Sequence, residues 1–160
     1  MELIYHTAEL NKDVRELENL FNSGLETIEL DFVLTRDGVP IWTHDIFPTQ
    51  LLKSTNKKLN NTLSLHDVLE INNHRAKLML DIKCIQPNLL NSNKLNKLLN
   101  MLNQYDEMQI QSLDLNFLSK LVEGNYSNIE KGLIVNVITR NLIDLFRLSK
   151  IGNLDFLALS

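Results

Sequence analysis

Hydrophobic and polar positions change their period repeatedly along the chain, and the changes mark out alternating strands and helices. Leu3-Ile4-Tyr5 is a short apolar run that closes on His6. From Asp13 to Asn22, Val14, Leu17, Leu20 and Phe21 recur at helical spacing, and Gly24 can end that helix. Thr27 to Thr35 is rich in β-branched and apolar residues and predicts a strand. Asp37-Gly38 predicts a turn, and Val39 to Thr43 a second, shorter extended piece. Phe47 to Leu63 is rich in Asn, Lys and Thr and predicts a long loop, a feature often tied to function in compact domains. A short helix is expected over Leu63 to Ile71, with Ser64 as N-cap and Asp67 three residues on. Beyond it come a strand over Lys77 to Cys84, a Leu-rich helix over Asn88 to Tyr105, and a strand over Glu107 to Ser112. A helix over Leu115 to Val122, a strand over Gly132 to Val137, a helix over Asn141 to Ser149 and a strand from Asp155 to Leu159 complete the pattern.

Strands alternating with helices imply an α/β fold with a parallel sheet and right-handed helical crossovers. A doubly wound sheet and a (β/α)8 barrel both fit this alternation. No Gly-rich phosphate loop follows the first strand, which counts against a nucleotide-binding doubly wound sheet.

Composition narrows the functional classes. Of 160 residues, 44% are hydrophobic and 22% charged, which suits a folded domain rather than a disordered chain. Lys plus Arg total 16 against 20 Asp plus Glu, a net charge of -4, so the basic excess of a general nucleic-acid binder is missing. Cys84 is the one cysteine, which excludes an internal disulfide and suits a reducing compartment. No basic segment leads into an apolar run at the N-terminus, and no window reaches the ~18 uninterrupted apolar residues of a membrane span. A soluble, cytoplasmic protein without an integral membrane segment is expected.

The informative residues are charges inside strands, because central strands of parallel sheets are otherwise almost continuously apolar. Glu29 and Asp31 stand at i and i+2 and therefore project from one face, and Asp81 and Lys83 repeat that arrangement in a later strand. His6 closes the first strand, and His44 closes the extended piece at Val39 to Thr43. A single acidic doublet also fits a solvated edge or an ion pair. Three carboxylates converging at strand ends would instead make an oxygen-rich site for Mg2+ or Ca2+, and two neighbouring histidines suit acid/base chemistry near neutral pH. Other positions read as structural: His66 and His74 as surface residues, Cys84 as a small buried residue, Trp42 as core packing. Lys53, Lys57 and Lys58 read as a solvated loop whose charge could attract an anionic headgroup.

The segment Thr27 to Asp45, TIELDFVLTRDGVPIWTHD, resembles the glycerophosphodiester phosphodiesterase family, whose members carry an E-L-D-V-x-L-T-x-D-G-x-P-V-x-x-H-D signature. Thr62 to Leu69 resembles the family's T-L-x-E-x-L helix, Asp81-Ile82-Lys83 its E-x-K strand, and Gln109 to Ser112 with Asp114 its S-F-D segment. The resemblance implies a TIM-type (β/α) barrel and a metal-dependent phosphoric diester hydrolase, with active residues at the strand C-termini. It implies Glu29, Asp31 and Asp81 as ligands of Mg2+ or Ca2+, Lys83 facing the substrate phosphate, and His6 and His44 as general acid and base. Asp45, after His44, would orient a neighbouring group. The implied partner is a small phosphodiester, a glycerophosphodiester or a related lipid headgroup diester, and not a nucleic acid.

Two departures stand out. The family's first histidine is followed by Arg-Gly and later by P-E-N-T; here Thr7-Ala8 follow His6, and Arg15, on the first helix, is a poor substitute. Asp81 also stands where glutamate is usual, which shortens the reach by one methylene. Both features resemble the sphingomyelinase D-like branch of the superfamily, so a cyclising lyase and a catalytically inactive binding module are the alternatives. A TIM barrel typically needs ~250 residues. Counting strands from Leu3, Thr27, Lys77, Glu107, Gly132 and Asp155 leads to an expected single domain over 1–160, incomplete at its C-terminus, with about six of eight strands.

Overall fold

The computed structural model describes residues 4–6, 13–44, 46–59, 61–83, 87–90, 92–105, 108–124, 126, 128–135 and 156–159. The chain divides into two compact units, Met1–Gln86 and Pro87–Ser160. All six strands expected from the sequence are present, and the class is α/β with mostly parallel pairing. The expected helix over Asn141 to Ser149 lies outside the described residues, as do Cys84 and Asp45.

In the first unit, β1 (Ile4–His6) and β4 (Lys77–Lys83) both pair in parallel with the central β2 (Thr27–Leu34). β3 (Pro40–Trp42) returns antiparallel along the outer half of β2, with Phe32 opposite Trp42 and Leu34 opposite Pro40. The reversal runs through Thr35–Gly38, where Gly38 N donates to Thr35 O at 2.9 Å. Gly38 sits at φ +82°, a region that favours glycine.

Every residue of β2 is buried, and its two faces differ in kind. Ile28, Leu30 and Phe32 share a wholly apolar face with Leu78, Leu80 and Ile82 of β4. Burial of such side chains contributes about 1.5–3 kcal/mol each, which supports the carboxylates held on the other face. Helix α1 (Val14–Phe21) starts at Asp13, whose side chain accepts from Arg15 N, and buries Leu17, Leu20 and Phe21. After a one-turn helix, α2 (Ile46–Thr49), helix α3 (Leu65–Asn72) opens with a capping box. Ser64 accepts from Asp67 N, and Asp67 accepts from Ser64 N at 2.7 Å. α3 lies against α1. Arg75 ties their C-terminal ends, donating to Asn22 Oδ1 at 2.7 Å with its guanidinium 5.8 Å from the Phe21 ring.

In the second unit, β5 (Met108–Ser112), β6 (Ile129–Val135) and β7 (Phe156–Leu159) form a parallel set with β6 in the middle. β6 begins three residues before the Gly132 expected to open it. Gly132 is paired on both sides, with Gln111 and Phe156, so here glycine lies within a strand. The Leu-rich stretch after β4 is two helices, α4 (Pro87–Leu90) and α5 (Asn93–Leu102). Ser92 separates them: its hydroxyl donates to Leu89 O at 2.7 Å and accepts from Leu95 N. Helix α6 (Leu115–Glu123) packs on β5 and β6 through buried Phe117, Leu118 and Leu121. Among the described residues, no helix is long and apolar enough to cross a membrane.

Candidate metal and phosphate site

The polar face of the first unit is built by strand register. Asp31 pairs with Asp81 and Val33 with Lys83, so Glu29, Asp31, Asp81 and Lys83 rise from one face of two neighbouring strands. All three carboxylates are buried, and each offers an oxygen within 4.8 Å of the other two. Asp81 joins the cluster despite its short side chain because it lies directly beside Asp31 in the ladder.

Lys83 bends back along the strand to this cluster. Its Nζ lies 2.7 Å from Asp31 Oδ1 and 3.6 Å from Asp81 Oδ2. Asp31 Oδ1 is buried without an aligned hydrogen bond, so the ammonium holds it by charge. Burial pushes the Asp81 carboxyl up to about 7; the Lys83 charge opposes that rise, and the charge and hydrogen bonding of Asp31 add to it. Three buried carboxylates against one ammonium leave surplus negative charge, which a hard divalent cation would neutralise. The all-oxygen donor set fits Mg2+ or Ca2+.

His44 reaches this end of the unit through β3. Trp42 N donates to Leu63 O at 2.8 Å and Thr43 N to Asp31 O at 3.0 Å, which fixes the chain immediately before His44 at the level of Asp31. His44 itself is exposed, whereas Trp42, the expected core residue, is 1% exposed. The backbone of His6 pairs with Glu29, while its side chain lies outside the described residues. Glu29, Asp31, Asp81 and Lys83 thus meet in one cluster, and His44 follows β3 in the same unit.

Other positions have partners of their own. Asp114 caps α6, accepting from Asn116 N at 3.0 Å and Phe117 N at 3.2 Å. His66, Asp67 and Glu70 also lie close together, but His66 and Glu70 are exposed and 3.8 Å apart, and Asp67 is engaged with Ser64. Arg15 is exposed on α1. In the second unit, Gln109 and Gln111 repeat the i, i+2 pattern on β5, buried, each with an Oε1 that has no hydrogen-bond partner. In the sequence they stand out only as part of the Gln109 to Ser112 segment, because neutral amides carry no charge to set them apart as charge sets apart Glu29 and Asp31.

No family model matches the sequence, and no curated protein matches it in sequence. The structure, by contrast, is similar to solved glycerophosphodiester phosphodiesterases. One, from Parabacteroides distasonis, is 14% identical with a TM-score of 0.65, covering 99% of this chain and 92% of that one. An Oleispira antarctica phosphodiesterase, solved with the product sn-glycerol-3-phosphate, is 16% identical with a TM-score of 0.70, covering 99% and 74%. A glycerophosphodiester phosphodiesterase from Thermotoga maritima is 13% identical with a TM-score of 0.58, covering 99% and 94%. The fold of this chain is therefore the α/β fold shared by glycerophosphodiester phosphodiesterase structures.

Proposed function

We propose that the protein is a metal-dependent phosphoric diester hydrolase acting on glycerophosphodiesters or related lipid headgroup diesters. The observation that carries this reading is the buried cluster of Glu29, Asp31 and Asp81 with Lys83 Nζ 2.7 Å from Asp31, set in the fold of phosphodiesterases. The architecture proposed is a TIM-type (β/α) barrel, in which active residues gather at the strand C-termini; Lys83 ends β4.

Glu29, Asp31 and Asp81 would hold the divalent ion, which supplies charge neutralisation at a non-bridging phosphate oxygen. Lys83 would add a positive contact for the phosphate through Nζ, which its ion pairs with Asp31 and Asp81 orient. His44, exposed at the end of β3, can exchange a proton with an attacking or leaving hydroxyl at its imidazole. His6, one strand away, would be the second proton carrier.

Hydrolysis of glycerophosphocholine with Mg2+ or Ca2+, and with EDTA, tests the reading on the wild type and on Glu29→Gln. Activity that EDTA and Glu29→Gln both abolish is expected, together with loss of divalent-ion binding by calorimetry. Full activity in EDTA, or unchanged ion binding by the variant, would overturn the ligand assignment.

A further inference from the structure

The chain is acidic overall, with a net charge of -4, yet the segment from Ile46 to Ser64 carries Lys53, Lys57 and Lys58 and no Asp or Glu. This segment is built into the fold rather than hung from it. Arg36 N donates to Leu52 O at 2.8 Å, tying it to the turn after β2. Asp37 Oδ1 accepts from Ser54 N at 2.8 Å, and Asp37 Oδ2 accepts from the Ser54 hydroxyl at 2.7 Å. Asn56 N closes a turn on Lys53 O at 2.9 Å, Lys57 and Lys58 come next in the chain, and Leu59 after them is buried.

These ties leave a defined set of side chains in solvent. Leu51 is 57% exposed, a large apolar residue with no packing role of its own. Lys53, Lys57 and Lys58 of the same segment are exposed, as is Arg36 in the turn bonded to Leu52, and the Asp37 carboxylate is occupied by Ser54 and Thr35. The patch lies beyond the C-terminal end of β2, the end toward which Lys83 and the carboxylate cluster lie within the same unit. An exposed leucine on a segment whose charges are all cationic matches a surface with anionic heads over a hydrocarbon layer: the charges attract the heads, and the leucine enters below them.

We propose that Arg36, Lys53, Lys57 and Lys58, together with Leu51, form a docking surface for an anionic phospholipid bilayer. Docking there would present the metal and phosphate site to lipid headgroups. That consequence rests on the phosphodiesterase reading, whereas the binding itself does not.

The test is co-sedimentation of the full chain with vesicles of phosphatidylcholine plus phosphatidylglycerol, and with phosphatidylcholine alone. Salt-sensitive binding to the anionic vesicles is expected. Replacing all three lysines by Gln is expected to lower the partition coefficient about 100-fold, while the triple Arg variant binds as the wild type does. Leu51→Ser is expected to lower it about tenfold. Glu29→Gln is expected to bind vesicles normally, and the triple Gln variant to hydrolyse soluble glycerophosphocholine normally. Equal binding to both vesicle types, or undiminished binding by the triple Gln variant, would overturn the proposal. Binding to duplex DNA as tight as to vesicles and indifferent to Leu51→Ser would reassign the patch to polyanions in general. Vesicle binding by a protein that hydrolyses no diester would leave the docking surface standing and remove only the reaction.

Discussion

Asp31 and Asp81 are direct neighbours across the β2–β4 ladder, and Lys83 Nζ lies within 4 Å of both carboxylates, at 2.7 and 3.6 Å. Two buried carboxylates side by side repel each other, and the ammonium offsets that repulsion. Replacing Lys83 by Met removes the cation and leaves the acids in place. Breaking a buried ion pair costs about 3–5 kcal/mol, and protonation of Asp81, already raised to about 7, places this variant near the lower figure. Urea unfolding without divalent ions measures the loss; unchanged stability would show that Lys83 does not balance the pair.

His44→Ala separates proton transfer from ion binding. His44 is exposed at the end of β3 and outside the carboxylate cluster. The expected result is a fall in kcat of about 10²–10⁴-fold with the divalent-ion affinity unchanged by calorimetry. Equal losses in both would place His44 among the ligands.

Asp37 makes an acid-sensitive latch between the β2–β3 turn and the lysine-bearing segment. Burial works to raise its pKa, but hydrogen bonds from the Ser54 side chain and backbone and from Thr35 prevail and lower it to about 2. A depressed carboxyl contributes stability that is fully present above its ordinary value near 3.8 and is lost as pH falls toward 2. Asp37→Ala is expected to lose about 1–3 kcal/mol at neutral pH through the missing hydrogen bonds. Denaturation curves of wild type and variant should converge as the pH is lowered through that window. A gap independent of pH would assign the effect to packing.

Asp114 distinguishes a helix cap from a site residue. Its carboxylate accepts from Asn116 N and Phe117 N at the start of α6. Asp114→Ala is expected to cost about 1 kcal/mol, and Asp114→Asn much less, with kcat unchanged in both. A drop in kcat without a drop in stability would give Asp114 a role beyond the cap.

Much of the local structure was legible in the sequence because short-range physics fixes it. Ser64 with Asp67 predicted the start of α3, and the capping box is there. The apolar spacing of Val14 to Phe21 predicted α1 almost to the residue, since a helix face must repeat to be buried. The reading failed where a residue's usual preference was overruled. Gly132 reads as a boundary but lies inside β6, where two neighbouring strands supply its partners. Ser92 reads as one polar residue in a leucine run but divides two helices by capping the second.

The candidate site divides along the same line. A strand's period of two residues puts Glu29 with Asp31, and Asp81 with Lys83, on common faces whatever their neighbours, so the sequence by itself determined both doublets. It also carried their chemistry: three hard oxygen donors and one cation among apolar residues. Tertiary structure decided that the two doublets meet. Pairing of β2 with β4 spans some fifty residues of intervening chain, and a slip of one position would turn Asp81 and Lys83 to the opposite face. Burial of Ile28, Leu30 and Phe32 beside Leu78, Leu80 and Ile82 holds the register that sets Asp81 beside Asp31. The return of β3 along β2 then brings His44 to the same level, because Thr43 bonds to the Asp31 carbonyl, a contact that no local periodicity encodes.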